Sequence, residues 1–111
     1  MLTDILKAIG ITNKESRFIT VPKPPFIVWF HETETRGGDY VNGIVDHHVS
    51  LELYEDKPDV APSNKIETVL NQFGLEYDKS VKNWIASESY YQTVFDFDYT
   101  EKKGGLTHEE R

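Results

Sequence analysis

Residues 45–54 read Val45-Asp46-His47-His48-Val49-Ser50-Leu51-Glu52-Leu53-Tyr54. Val45, His47, Val49, Leu51 and Leu53 alternate with Asp46, His48, Ser50, Glu52 and Tyr54. Successive side chains of a strand point to opposite faces, so this pattern predicts a half-buried strand with one wet face. Upstream, Phe26-Ile27-Val28-Trp29-Phe30-His31-Glu32-Thr33 is dense in aromatic and β-branched residues. It predicts a second strand, buried on both faces at its start. Between the two lies Arg36-Gly37-Gly38-Asp39-Tyr40-Val41-Asn42-Gly43, whose glycines and turn formers predict a hairpin with a long tip. Pro22-Lys23-Pro24-Pro25 closes a connector over 12–25 and holds it extended.

Outside the hairpin, Leu2, Ile5, Leu6 and Ile9 form an i, i+3, i+4, i+7 stripe, predicting a helix over 2–9 stopped at Gly10. Ile66, Val69, Leu70 and Phe73 repeat the stripe. Here Asn64 is the expected N-cap, Glu67 its capping-box partner and Gly74 the stop. Residues 81–88 predict a strand of ambiguous facing. In 90–100, Tyr91, Thr93, Phe95, Phe97 and Tyr99 alternate with Gln92, Val94, Asp96 and Asp98. The predicted fold is α+β, in the order α-β-β-α-β-β. A four-stranded, mainly antiparallel sheet carries two short helices on one face. Residues 1–102 form one domain, and 103–111 a flexible charged C-terminal tail. The expected core comprises Leu6, Ile9, Val49, Leu51, Leu53, Ile66, Val69, Leu70, Phe73, Phe95 and Phe97.

Composition narrows the function classes. At 111 residues, a single modest core is expected. A 13% aromatic share suits strands. The net charge of −7 argues against tight binding to phosphate backbones, because Lys23, Lys57, Lys65, Lys79 and Lys82 are scattered. The absence of cysteine removes disulfides, zinc-thiolate sites and thiol nucleophiles. With no transmembrane-length apolar run and no signal-peptide core after Met1, a soluble cytoplasmic chain without membrane partners is expected.

The residue types that carry chemistry do not assemble into a signature. His47 and His48 are neighbours on a strand and point apart, so they cannot share a metal ion; His47 reads as a boundary histidine of the apolar face. Asp96 and Asp98 share the wet face with Glu52. Paired carboxylates do acid–base work only where burial separates their pKa values, so Glu52, Asp96 and Asp98 read as a solvated acidic face. Gly37-Gly38 lacks the Lys-Ser/Thr and the helix of a phosphate loop. Neither cofactor, metal nor catalytic residue is expected. The segment that can reach a neighbour is the tip, through Arg36, Gly37, Gly38, Asp39, Tyr40 and Asn42.

The chain resembles small tail-completion proteins of long-tailed bacteriophages and prophages, of the tail-terminator or tail-to-head joining type. The likeness covers about residues 2–102. It rests on the short helix before Pro24-Pro25-Phe26-Ile27-Val28-Trp29, and on Gly38-Asp39-Tyr40 ahead of His48-Val49-Ser50-Leu51-Glu52-Leu53-Tyr54. It rests also on Asn64-Lys65-Ile66-Glu67-Thr68-Val69-Leu70 leading into Gly74-Leu75-Glu76-Tyr77, and on Ser87-Glu88-Ser89-Tyr90-Tyr91-Gln92-Thr93-Val94-Phe95-Asp96-Phe97. The resemblance implies a non-enzymatic virion protein at the head–tail junction, assembled in the bacterial host cytoplasm. It implies a ring of copies, usually hexameric, that ends tube growth and joins the tail tube protein to the head–tail connector or stopper. DNA would pass through such a ring without specific binding. Two alternatives stay open: a head-closure or other neck component, and a small non-catalytic phage or prophage protein that sequesters a partner.

Overall fold

A computed structural model describes residues 1–37 and 43–102. The elements in chain order are α1 (Leu2–Ile9), β1 (Asn13–Glu15), β2 (Phe26–Arg36), β3 (Ile44–Glu55), α2 (Ala61–Gln72), β4 (Tyr77–Lys79), β5 (Asn83–Ile85) and β6 (Tyr90–Lys102). The fold is α+β, with both helices packed into one core against a mixed, mostly antiparallel sheet.

The sheet has six strands, not four, in the order β1-β2-β3-β6-β4, with β5 also on β6. The extra strands are three residues long. β1, Asn-Lys-Glu, sits where only a connector was expected and runs parallel to the start of β2. Its sequence has no strand character. It is held by its neighbour: Trp29 Nε1 donates to Asn13 Oδ1 (3.1 Å) and Ile27 N donates to the Thr12 carbonyl (2.8 Å). β4 lies opposite Phe95–Phe97, and the strand expected over 81–88 shrinks to β5 opposite Tyr90–Gln92.

The three long strands keep the predicted alternation. On the helix-facing side, Ile27–Leu53–Thr93, Trp29–Leu51–Phe95 and His31–Val49–Phe97 form cross-strand rows. The helical stripes of α1 (Leu2, Ile5, Leu6, Ile9) and α2 (Ile66, Val69, Leu70) close over them. All expected core residues are buried except Phe73, which is only partly so. On the opposite side the rows are Phe26–Tyr54–Gln92, Val28–Glu52–Val94, Phe30–Ser50–Asp96 and Glu32–His48–Asp98. Among the described residues this side carries no helix.

Both helices stop where glycine allows a left-handed turn. Gly10 has φ 71° and donates to the Leu6 carbonyl, and Gly74 has φ 72°. The start of α2 differs from expectation. It begins at Ala61, with Pro62 in its first turn, and Asp59 Oδ1 accepts the Ala61 N–H (3.2 Å). Proline is suited to a first turn because its missing N–H has no intrahelical partner there. Asn64 is thus interior, and Glu67 is not a cap. Glu67 instead accepts from Tyr77 Oη and Lys79 Nζ, both at 2.8 Å, tying α2 to β4.

Candidate functional site

The open sheet face collects the acidic residues singled out in the sequence. Asp96 and Asp98 are exposed on it and Glu52 is half-buried. The register decides what each meets. Asp98 Oδ1 bonds His48 Nδ1 at 2.8 Å, and His48 Nε2 lies 3.4 Å from Glu34 Oε1. Asp46 accepts from Arg36 Nε (2.6 Å) and from Thr100 Oγ1 (2.9 Å), and the Arg36 hydrogen bond holds its carboxyl below the usual range. Asp96 faces Ser50 on one side and Asp78 on the other. Glu52 Oε1 accepts from Tyr54 Oη, which accepts from Gln92 Nε2, both at 2.8 Å. Burial, with Glu52 second, pushes the Tyr54 phenol up to about 12. The predicted acidic face is therefore tied by a cross-strand hydrogen bond at Asp98 and by one along β3 at Glu52, and Asp96 stands beside Asp78.

Ser50, His48 and Asp98 share this face, which invites comparison with a nucleophile–base–acid trio. The base must present its free nitrogen to the nucleophile. Here that nitrogen, His48 Nε2, is directed at Glu34. Among the described residues no group of three or more His, Asp or Glu could hold a metal ion. No helix among them is long and apolar enough to cross a membrane.

Of the hairpin-tip residues, Arg36 is the last residue of β2 and is engaged by Asp46. Gly37 is exposed. Gly38, Asp39, Tyr40 and Asn42 lie outside the described residues, as does the 103–111 tail, so the expected flexibility of the tail falls there too.

Three features were not anticipated. On the helix side of the sheet, His31 Nε2 meets His47 Nδ1 at 2.8 Å and His47 Nε2 meets Glu101 Oε1 at 2.9 Å, with Tyr99 stacked on His47 (centroids 4.3 Å apart). A carboxylate accepts only, so His47 Nε2 donates to Glu101, and in the neutral ring His47 Nδ1 then accepts from His31. Second, the buried Glu55 carboxylate takes a hydrogen bond from Lys82 Nζ, which also donates to the Asp59 carbonyl (2.8 Å). Third, Phe18, Tyr54 and Tyr90 surround Phe26, each contact having ring centroids 5.2–5.5 Å apart. The sequence signals were the alternation itself for His31 and His47, and Phe26 and Tyr54 on one side of it. Their meeting depends on register across distant strands.

The two exposed-end histidines titrate in opposite senses. Burial, then the neighbouring His47, lowers the His31 pKa. Hydrogen bonds to Asp98 and then Glu34 raise that of His48. A lowered folded value means the His31 contribution is present above about pH 6.5 and is lost as pH falls. A raised value means the His48 contribution is present below about pH 6.5 and is lost as pH rises. Relative to the parent, His48→Gln should lose stability more steeply on acidification and His31→Gln less steeply. Urea midpoints between about pH 5 and about pH 8 check this. Identical pH slopes in the two variants would contradict it.

No protein-family model matches the chain, and no curated protein matches it in sequence.

Proposed function

We propose that the chain is a structural subunit that assembles into a ring at the end of a bacteriophage tail tube, ending tube growth and joining the tail to the head connector. The observation that carries this reading is the blade formed by the outer halves of β2, β3 and β6. Among the described residues β1 covers only Ile27–Trp29 of the outer edge of β2, and β4 and β5 stop short of Asp98–Lys102 on the outer edge of β6. Open edges are templates for pairing with another chain. β2 and β6 both run antiparallel to β3, so they run parallel to each other. The β2 edge of one copy and the β6 edge of the next can therefore repeat around an axis, and a heterologous contact of that kind makes a ring when its rotation closes on itself. The molecule is elongated, 55 × 28 × 21 Å. Glu32, Glu34, Asp96 and Asp98 on the open face give it a negative field that would repel passing DNA.

Two measurements test the reading. Native mass and negative-stain images of the full chain, alone and with tail tubes, should show discrete rings of one size, free or on tube ends. A monomer that ignores tubes and binds one unrelated protein would replace this reading with that of a sequestering protein. Deleting residues 36–42 should keep the fold, monitored by circular dichroism, and abolish joined particles. An unfolded deletion variant would make the tip structural.

A further inference from the structure

Phe18, Phe26, Tyr54 and Tyr90 line a cavity of about 440 Å³ on the helix-free side of the sheet, bounded also by Glu52 and Glu88. We propose that this cavity binds an arginine side chain of a partner protein, its guanidinium held against the rings and between the two carboxylates. The inference stands apart from the ring reading, since any interaction module could carry such a site.

The walls favour a cation. Phe26 is the buried floor, and Phe18 and Tyr90 meet it edge-on (80° and 88°) while Tyr54 stacks on it (20°). Aromatic faces carry negative potential and attract ammonium and guanidinium groups. Neither Glu52 nor Glu88 has a base within ion-pair distance among the described residues; the ion pairs lie elsewhere, at Asp46, Glu101, Glu34, Asp98, Glu67 and Glu55. Glu52 already accepts from Tyr54 Oη through Oε1, which orients the carboxylate on a rigid strand. An anionic ligand would be repelled by both acids, and a neutral apolar one would desolvate them without a partner. Guanidinium both stacks on rings and donates to carboxylates, where lysine offers only a point charge.

The chain brings one guanidinium of its own to the lining, Arg17, which forms no ion pair with Glu52 or Glu88; Arg36 is held by Asp46, and Arg111 lies outside the described residues. Val21, strongly exposed, is part of the lining and suits a partner whose arginine is flanked by an apolar residue.

The test is an NMR titration of the full chain with benzamidine, an aryl amidinium, against neutral benzamide and anionic benzoate. Benzamidine should shift the amides of Phe18, Tyr54 and Tyr90 and bind about tenfold more tightly than either comparator. Glu88→Gln, a change in an exposed turn, should weaken it about fivefold, and Glu52→Gln similarly. Asp98→Asn, on the same sheet face outside the cavity, should leave the affinity unchanged. Benzoate binding as tightly as benzamidine, or benzamidine shifts confined to other surfaces, would overturn the proposal. Self-association of the parent chain that Glu88→Gln abolishes would overturn the choice of partner and assign the cavity to a second copy.

Discussion

Phe95→Ala is expected to lower the free energy of unfolding by about 3–5 kcal/mol, the range for removing a buried aromatic and leaving a cavity. Phe95 is fully buried and sits in the central row with Leu51 and Trp29. Its strand is the one that β3, β4 and β5 all pair with. Collapse around the gap would have to draw in both helices and the sheet together, so little relaxation is available. Small domains hold roughly 5–15 kcal/mol in total, which makes this loss a large fraction of the whole. Phe95→Leu keeps most of the volume and should cost under about 1.5 kcal/mol. Asp96→Ala, one residue on and facing solvent, should fall within about 0.5 kcal/mol of the parent. Urea unfolding of the three variants checks the order. An Asp96→Ala loss equal to that of Phe95→Ala would mean that the faces of β6 are reversed.

The second large effect lies at Lys82. This lysine reaches from the loop between β4 and β5 to the end of β3, where the Glu55 side chain is 4% exposed. Removing one partner of a buried pair strands the other charge without its counterion, at a cost of about 3–5 kcal/mol. Lys82→Met should therefore destabilise by that order, although methionine retains most of the aliphatic stem. The double variant Glu55→Leu/Lys82→Met should recover most of the loss, because two apolar side chains of similar volume leave no charge to satisfy. A double-mutant cycle on unfolding free energies reads the coupling. Simple additivity of the two single changes would show that the pair contributes no mutual stabilisation. Glu55 Oε2 has no hydrogen-bond partner among the described residues, nor do the buried hydroxyls of Ser63 and Thr93. Bound water is the ordinary way such groups are satisfied.

The framework was legible because its signals are local and repeated. The alternation over 45–54 and 90–100 reported which side of each strand is buried, and the stripes of α1 and α2 reported what covers it. β1 and β4 were illegible because three residues are too few to show a period, and β5 was read within 81–88 but too long for the same reason. Asn13-Lys14-Glu15 is polar throughout and becomes a strand through what β2 offers it. The start of α2 was misplaced because Asn64 and Glu67 satisfy a capping pattern that Asp59 and Pro62 pre-empt. At the candidate sites, Glu52, Asp96 and Asp98 were read onto the right face. Their partners were not readable, since whether Asp98 meets His48 or another residue depends on the register of strands far apart in sequence.

The strand at the heart of the sheet, β6, is also the last element of the described chain. Its partners on one side are β3 and on the other β4 and β5. A nascent chain can form the β2–β3 hairpin and both helices, but the slot between β3 and β4 stays empty until residues 90–102 leave the ribosome. Pairing across such sequence separations is slow, because a long loop must close before any contact forms. Until then β3 exposes a long half-apolar edge that any strand can join. Folding is thus completed by insertion of β6, and a product lacking residues 90–102 would be a sticky fragment in place of a smaller working domain.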